Sequence, residues 1–247
     1  MRGLKWRLQN TFWGLRDLFM LLPLRLLRFF QHFGQPVNPI YREVFPRSYP
    51  LFWGLEVLIR FLEILGIGDL YQIISGWLKF NTRPLMNTEK EILATIFGPG
   101  FPFHRIHIDE WALLGPPQMQ ICYVSFWTIN SWRQMSTCLL VHEMVHVWQY
   151  QQLGMVYIPR ALAAQGSHLG YNYGGVGVLQ RVYAQEGKLS GFNLEQQADI
   201  IADYCRIKKG LGPSWGVGSW VDLPFYQYFV DQLILPTSSA KKWTFSK

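Results

Sequence analysis

The sequence predicts an α+β fold that is predominantly helical, with a small sheet, a helix carrying paired histidines, a second helix carrying paired carboxylates, and an N-terminal helical appendage. Three observations predict it. Leu51 to Leu65 is strongly apolar with Glu56, Arg60 and Glu63 on one stripe, the mark of an amphipathic helix. Ile121 to Ile129 is rich in β-branched and aromatic residues and reads as a strand, with a shorter one at Arg105 to Asp109. His142-Glu143-Met144-Val145-His146 lies inside an apolar, helix-compatible run.

The elements follow in order. Met1 to Phe33 alternates cations with bulky apolar residues, among them Trp6, Trp13, Phe29 and Phe30, and Pro23 interrupts it. The apolar run Leu18 to Leu24 is short, Arg25 ends it, and no small-residue cleavage site follows, so a cleavable signal peptide is not expected. No apolar stretch reaches the roughly 20 residues of a spanning helix. Gln35 to Pro50 holds four prolines and reads as a connector. Leu51 to Leu65 and Asp69 to Phe80 form a helical hairpin, in which Glu56 can pair with Arg60 one turn on. Asn87 to Phe97 suits a helix capped by Asn87 or Thr88 and ended by Gly98-Pro99-Gly100. The histidine-bearing helix should run from about Arg133 to Gln152 and stop at Gly154, with a further helix within Met155 to Ala164. Residues 170–192 are Gly- and Tyr-rich and read as loop. The carboxylate-bearing helix ends near Gly210, and Pro224 to Leu235 forms the last helix. The predicted organisation is a basic segment and connector (1–50), an apolar hairpin (51–80) and a domain that bears the paired histidines and paired carboxylates (81–247).

Composition narrows the function classes. Of 247 residues, 49% are hydrophobic and 16% aromatic, with 11 Trp, an excess that suits a surface meeting lipid or a partner. The formal charge is +7, but residues 1–50 hold eight Lys/Arg against Asp17 and Glu43, so the rest is nearly neutral. That argues against nucleic acid as a partner of the catalytic domain and for docking of residues 1–33 on an anionic membrane surface. A peripheral-membrane or cell-envelope location follows as an expectation. Three cysteines without C-x-x-C spacing argue against a disulfide framework, and at most one bridge could form. Cys138, one turn before His142, reads as a core residue.

The chemistry rests on two spacings. Histidines four apart project from one helical face, so His142 and His146 can bind one Zn²⁺, while Glu143 is placed to act on water as general base. A third ligand is needed. The metzincin continuation requires Gly at position 149 and His at 152, where this chain has Gln149 and Gln152. The gluzincin pattern takes a Glu from a later helix with an Asp one turn on, and Glu195 and Asp199 fit it. Glu195 would ligate zinc and Asp199 would accept the free N–H of a ligand histidine. His168 is the competing third ligand. His104 and His107 lack a carboxylate at ligand spacing and read as ordinary polar positions. Tyr171, Tyr173 and Tyr183 are candidate donors to a developing oxyanion, with Tyr173 preferred.

His142 to Gln152, H-E-M-V-H-V-W-Q-Y-Q-Q, resembles bacterial zinc metallopeptidase-like proteins of the Vgr-related or Rhs-element Vgr group, relatives of peptidase-like domains of contractile injection systems. Phe192 to Tyr204 resembles their second motif, and Tyr171-Asn172-Tyr173 an aromatic pair between the two. The resemblance covers about residues 80–210 and implies a zincin-like fold, peptidase activity and a secretion-system setting. The expectation is a gluzincin-type metallopeptidase acting on a peptide or protein through a zinc-activated water. The alternatives are a non-catalytic zinc-bearing module of a secretion or injection system, and an effector toxin turning the same site on a cell-envelope target.

Overall fold

Among the described residues four helices come first: α1 (Arg2–Met20), α2 (Leu22–Gly34), α3 (Tyr49–Ile64) and α4 (Ile67–Leu78). The computed structural model describes residues 2–34, 49–112 and 122–234, so most of the predicted connector, 35–48, lies outside the described residues. α1 packs on α4 and α2 on α3, so the basic segment and the hairpin form one layer. None of the described helices is long and apolar enough to cross a membrane.

The polarity of this layer is inverted. Its charged side chains turn inward: Arg25 Nη2 pairs with Asp69 Oδ2 at 2.6 Å, and Arg105, from beyond the layer, reaches Asp17 at 2.5 Å. Glu56, fully buried, does not pair with Arg60 as the helical spacing suggests. It takes two bonds from Arg160, at 2.5 and 2.8 Å, while Arg60 lies 3.5 Å from Glu63. The planar guanidinium of Arg160 engages both oxygens at once, which a single neighbour one turn away does less well. Two N-terminal cations expected at a bilayer, Arg25 and Arg28, are thus spent inside the protein. Large apolar side chains occupy the outside instead.

The body begins at β1 (Thr82–Pro84) and α5 (Asn87–Phe97), where Glu89 reaches back to accept the Met86 backbone N–H at 2.6 Å. β2 (His107–Asp109), β3 (Tyr123–Ser125) and β4 (Thr128–Asn130) complete a four-stranded sheet in the order β1-β2-β4-β3. β2 and β4 are parallel, and the outer pairs are antiparallel. The single strand predicted at 121–129 is therefore a hairpin, turning at Phe126-Trp127. Such two-residue turns need positive φ, which Phe126 supplies at 60°. Its buried ring packs on Tyr71 of α4 and Tyr150, which holds an otherwise disfavoured conformation in place.

Behind the sheet run α6 (Thr137–Leu153), α7 (Tyr157–Gln165), α8 (Val176–Ala184), α9 (Leu194–Lys208) and α10 (Leu223–Ile234). The stretch 170–192, expected as loop, contains α8. Ser136 caps α6 by accepting the Leu139 N–H, and Asn193 caps α9 through Gln196. α6 and α9 are the most extensively packed pair of helices, sealed by Met144, Val145, Ile200 and Ile201, and α10 covers α9 from the far side. A strongly amphipathic stripe is not needed on α6, because it is buried on nearly every side.

Candidate metal centre

α6 and α9 face each other across the site. The one-turn spacing of His142 and His146 sets their rings 5.1 Å apart, nearly perpendicular. Glu195, in the first turn of α9, places Oε2 3.4 Å from both His142 Nε2 and His146 Nε2. All three residues are buried, and their ligating atoms lie within 4.8 Å of one another. In a tetrahedral zinc site with bonds of about 2.0–2.1 Å, neighbouring ligand atoms stand about 3.3–3.4 Å apart. The spacing and the two-nitrogen, one-oxygen donor set fit that ion.

Each imidazole is held from behind. His142 Nδ1 lies 2.8 Å from Asp199 Oδ1, and Asp199 Oδ2 accepts the Trp215 indole N–H at 2.5 Å. His146 Nδ1 lies 2.8 Å from Gln149 Oε1. Gln149 in turn donates to the Leu194 carbonyl at 3.0 Å and to Gln197 at 3.1 Å, tying α6 to α9. With both Nδ1 atoms donating, each Nε2 lone pair is left for a metal.

The electrostatics call for a cation. Burial opposes a charge on His142, but hydrogen bonds to Asp199 and Glu195 outweigh it and hold its pKa at about 10. His146 is also shifted upward: burial opposes, and the charge of Glu195 prevails. Burial would raise Glu195, yet the charge of His146 and hydrogen bonds from both imidazoles hold it down at about 2. Without a metal, protons on the imidazoles do the neutralising that a divalent ion would do. Glu143 is pushed up by burial, against the pull of the two histidines. Its Oε2 is buried without a hydrogen-bond partner among the described residues. An orphaned acceptor beside three converging donor atoms fits a site that could hold a metal ion.

The other candidates fall elsewhere. His168 and His104 are exposed and outside the cluster, and His107 is buried but also outside it. Tyr173 is buried, donating to Asp203 at 2.7 Å with Tyr226 Oη at 2.9 Å, so its hydroxyl is committed to packing α9 against α10. Tyr183 stacks edge-on with Phe225 and Tyr228 near the surface. Tyr171 is the tyrosine brought to the centre, its ring 6.0 Å from that of His142. Burial first, then the charge of Glu195, pushes its hydroxyl up to about 12, so it stays a donor at neutral pH. Gln149, Trp215 and Tyr171 complete the site. Gln149 sits three residues after His146, hence on the same helical face, a spacing that marks it out. Trp215, in a Gly-rich loop, carries no such signal. No family model matches this chain, and no curated protein or solved structure is significantly similar to it.

Proposed function

We propose that this chain is a zinc metallopeptidase of gluzincin type, with a zincin-like catalytic part, that hydrolyses peptide or protein substrates at a membrane or cell-envelope surface. His142, His146 and Glu195 would hold Zn²⁺. When bound, the ion supplies Lewis acidity that polarises a carbonyl and lowers the pKa of water. The observation that carries the reading is Glu143. A purely structural metal site needs ligands but no base, and here a buried carboxylate, its Oε2 without a hydrogen-bond partner among the described residues, stands beside the proposed ligands.

The chain's own residues supply the remaining parts. Glu143 Oε2 accepts a proton from the attacking water and returns it to the leaving amine. Asp199 and Gln149 fix the imidazole tautomers. Tyr171 offers a hydroxyl that stays protonated, as a hydrogen-bond donor to developing negative charge. β3 is the outer strand of the sheet among the described residues and packs on α6. Its open edge suits an extended peptide held by main-chain hydrogen bonds.

The test is a comparison of wild type with Glu143→Gln on a peptide library, with zinc content measured in both. The variant should keep its zinc and lose cleavage by at least about a hundredfold, the usual worth of a general base. Equal cleavage by both proteins would overturn the mechanism. A zinc-loaded wild type that cleaves nothing would favour a binding module.

A further inference from the structure

Helices α1 to α4 present 21 large apolar side chains that are more than a third exposed, together with the turns that join and follow them. Their combined area is on the order of 2,000 Å², several times the few hundred Å² usual for an apolar patch on a soluble monomer. On α3 every exposed residue is apolar or glycine, Leu55, Leu58 and Phe61 among them. On α4 the exposed residues are Ile67, Leu70, Ile74, Trp77 and Leu78, and the Trp77 indole N–H is already bonded to Thr11. No charged side chain of α2, α3 or α4 is classed as exposed.

The polar side of each helix points the other way. Gln72 of α4 donates to Thr128 of the sheet at 3.0 Å, Glu56 of α3 holds Arg160, and Arg28 of α2 donates to the Gln151 carbonyl at 2.7 Å. Trp6 of α1 packs 4.3 Å from His107. The apolar faces therefore look away from the body.

We propose that this outward face is embedded in one leaflet of a lipid bilayer, so that the protein is a monotopic membrane protein. The inference rests on the membrane-surface part of the function proposed above, and it replaces electrostatic docking with insertion. A protein partner would ask for a polar rim and about one hydrogen bond per 100–200 Å², and α3 offers it no exposed polar side chain. Hydrocarbon asks only that backbone groups be satisfied internally. The helices meet that demand, and the α1–α2 and α3–α4 turns bond too: Leu21 N to Asp17 O, Arg25 N to Leu21 O, Leu65 N to Phe61 O and Gly66 N to Glu63 O. At 16 and 12 residues α3 and α4 are about 24 and 18 Å long, too short to span, so they lie along the membrane. The cations of α1 supply the charge complement for lipid phosphate. Lys5 is exposed, and Arg7 stands 4.8 Å over Phe80 and 5.8 Å over Trp77, an arrangement suited to headgroup depth.

The full chain, purified in detergent, is floated with phosphatidylcholine vesicles with and without phosphatidylglycerol, at low and high salt. Insertion predicts flotation with both vesicles that persists in high salt. Brominated acyl chains should quench tryptophan fluorescence, and less so in Trp77→Phe. The triple variant Leu55→Glu/Leu58→Glu/Ile74→Glu changes only exposed positions and should keep its zinc, yet its partition should fall at least about tenfold. Flotation only with anionic vesicles, reversed by salt, would overturn insertion and leave surface docking standing. No flotation with either vesicle, with a dimer once detergent is removed, would overturn both and assign the face to a second copy of the chain.

Discussion

Gln149 holds His146 from behind, accepting its Nδ1–H at 2.8 Å while its own amide is anchored to Leu194 and Gln197 on the facing helix. The same residue that excludes a metzincin motif thus orients the imidazole of a candidate ligand. Gln149→Met keeps the volume but removes the acceptor. Zinc affinity, measured by competition with a chromophoric chelator, should fall about 10–100-fold, the usual effect of losing such a partner. An unchanged affinity would show that helix packing alone orients His146.

The ligand set makes a sharper demand. Glu195→Ala removes the atom on which both imidazoles converge, and zinc stoichiometry by elemental analysis should collapse. His168→Ala should leave it intact, since His168 is exposed and apart from the cluster. The reverse pattern would refute the assignment.

Zinc uptake should also depend on pH. At neutral pH the metal-free site carries a proton on His142, whose pKa lies at about 10, and ligation requires its loss. Affinity should therefore rise with pH across the range below about 10. Calorimetry in buffers of different ionisation enthalpy should show protons released on binding at pH 7.

A second pH effect lies where α1 meets the sheet. Burial lowers His107 from 6.5 to about 4, with Lys90 pushing the same way and the Arg105 carbonyl opposing. Above pH 6.5 neither the folded nor the unfolded chain is charged at this residue. As the pH falls, the unfolded chain takes the proton first, so stability is lost between about 6.5 and about 4, by about 3 kcal/mol. Chemical denaturation of wild type should show that loss, and His107→Asn should flatten it.

Cys138 of α6 and Cys205 of α9 are reduced, with Sγ atoms 2.9 Å apart. The hydrogen bond between them lowers the Cys138 thiol below the usual thiol range. Diamide should take two protons and two electrons from the pair, leaving a disulfide, and stabilise the chain by about 2–4 kcal/mol. Thiol titration before and after treatment, with Cys138→Ala as control, checks this.

The candidate metal centre is largely legible in the sequence because helical spacing converts directly into a shared face. His142 and His146, and Glu195 and Asp199, are each four apart, and each pair delivers its side chains to one place. That Tyr171 and not Tyr173 turns toward His142 is not legible, because a loop has no periodicity to say which tyrosine turns in. The helix α8 is hidden by the glycines and tyrosines that flank it. The hairpin at Phe126 is hidden because neither Phe nor Trp is a turn residue, and only burial of the ring makes the turn tolerable. The N-terminal layer illustrates a different limit. The stripe of Glu56, Arg60 and Glu63 is plain in the sequence, but a stripe does not say which side faces the protein. The habit of placing apolar residues inside gives the opposite answer to the one observed.

The arginines of that layer reach the end of the histidine-bearing helix. Arg28 donates to the carbonyls of Gln151 and Gln152, at 2.7 and 3.0 Å, and Arg60 to that of Leu153 at 2.8 Å. These are last-turn carbonyls that α6 cannot satisfy by itself, and positive charge there also complements the helix dipole. The layer and the body that carries the candidate metal centre are consequently not modules that can be separated at residue 80. A fragment beginning there would leave three acceptors bare at the foot of the helix that carries His142 and His146, and would strip Arg160 of Glu56. Inactivity of such an excised fragment would report a frayed scaffold, and domain dissection here calls for point substitutions at Arg28 and Arg60 rather than scissors.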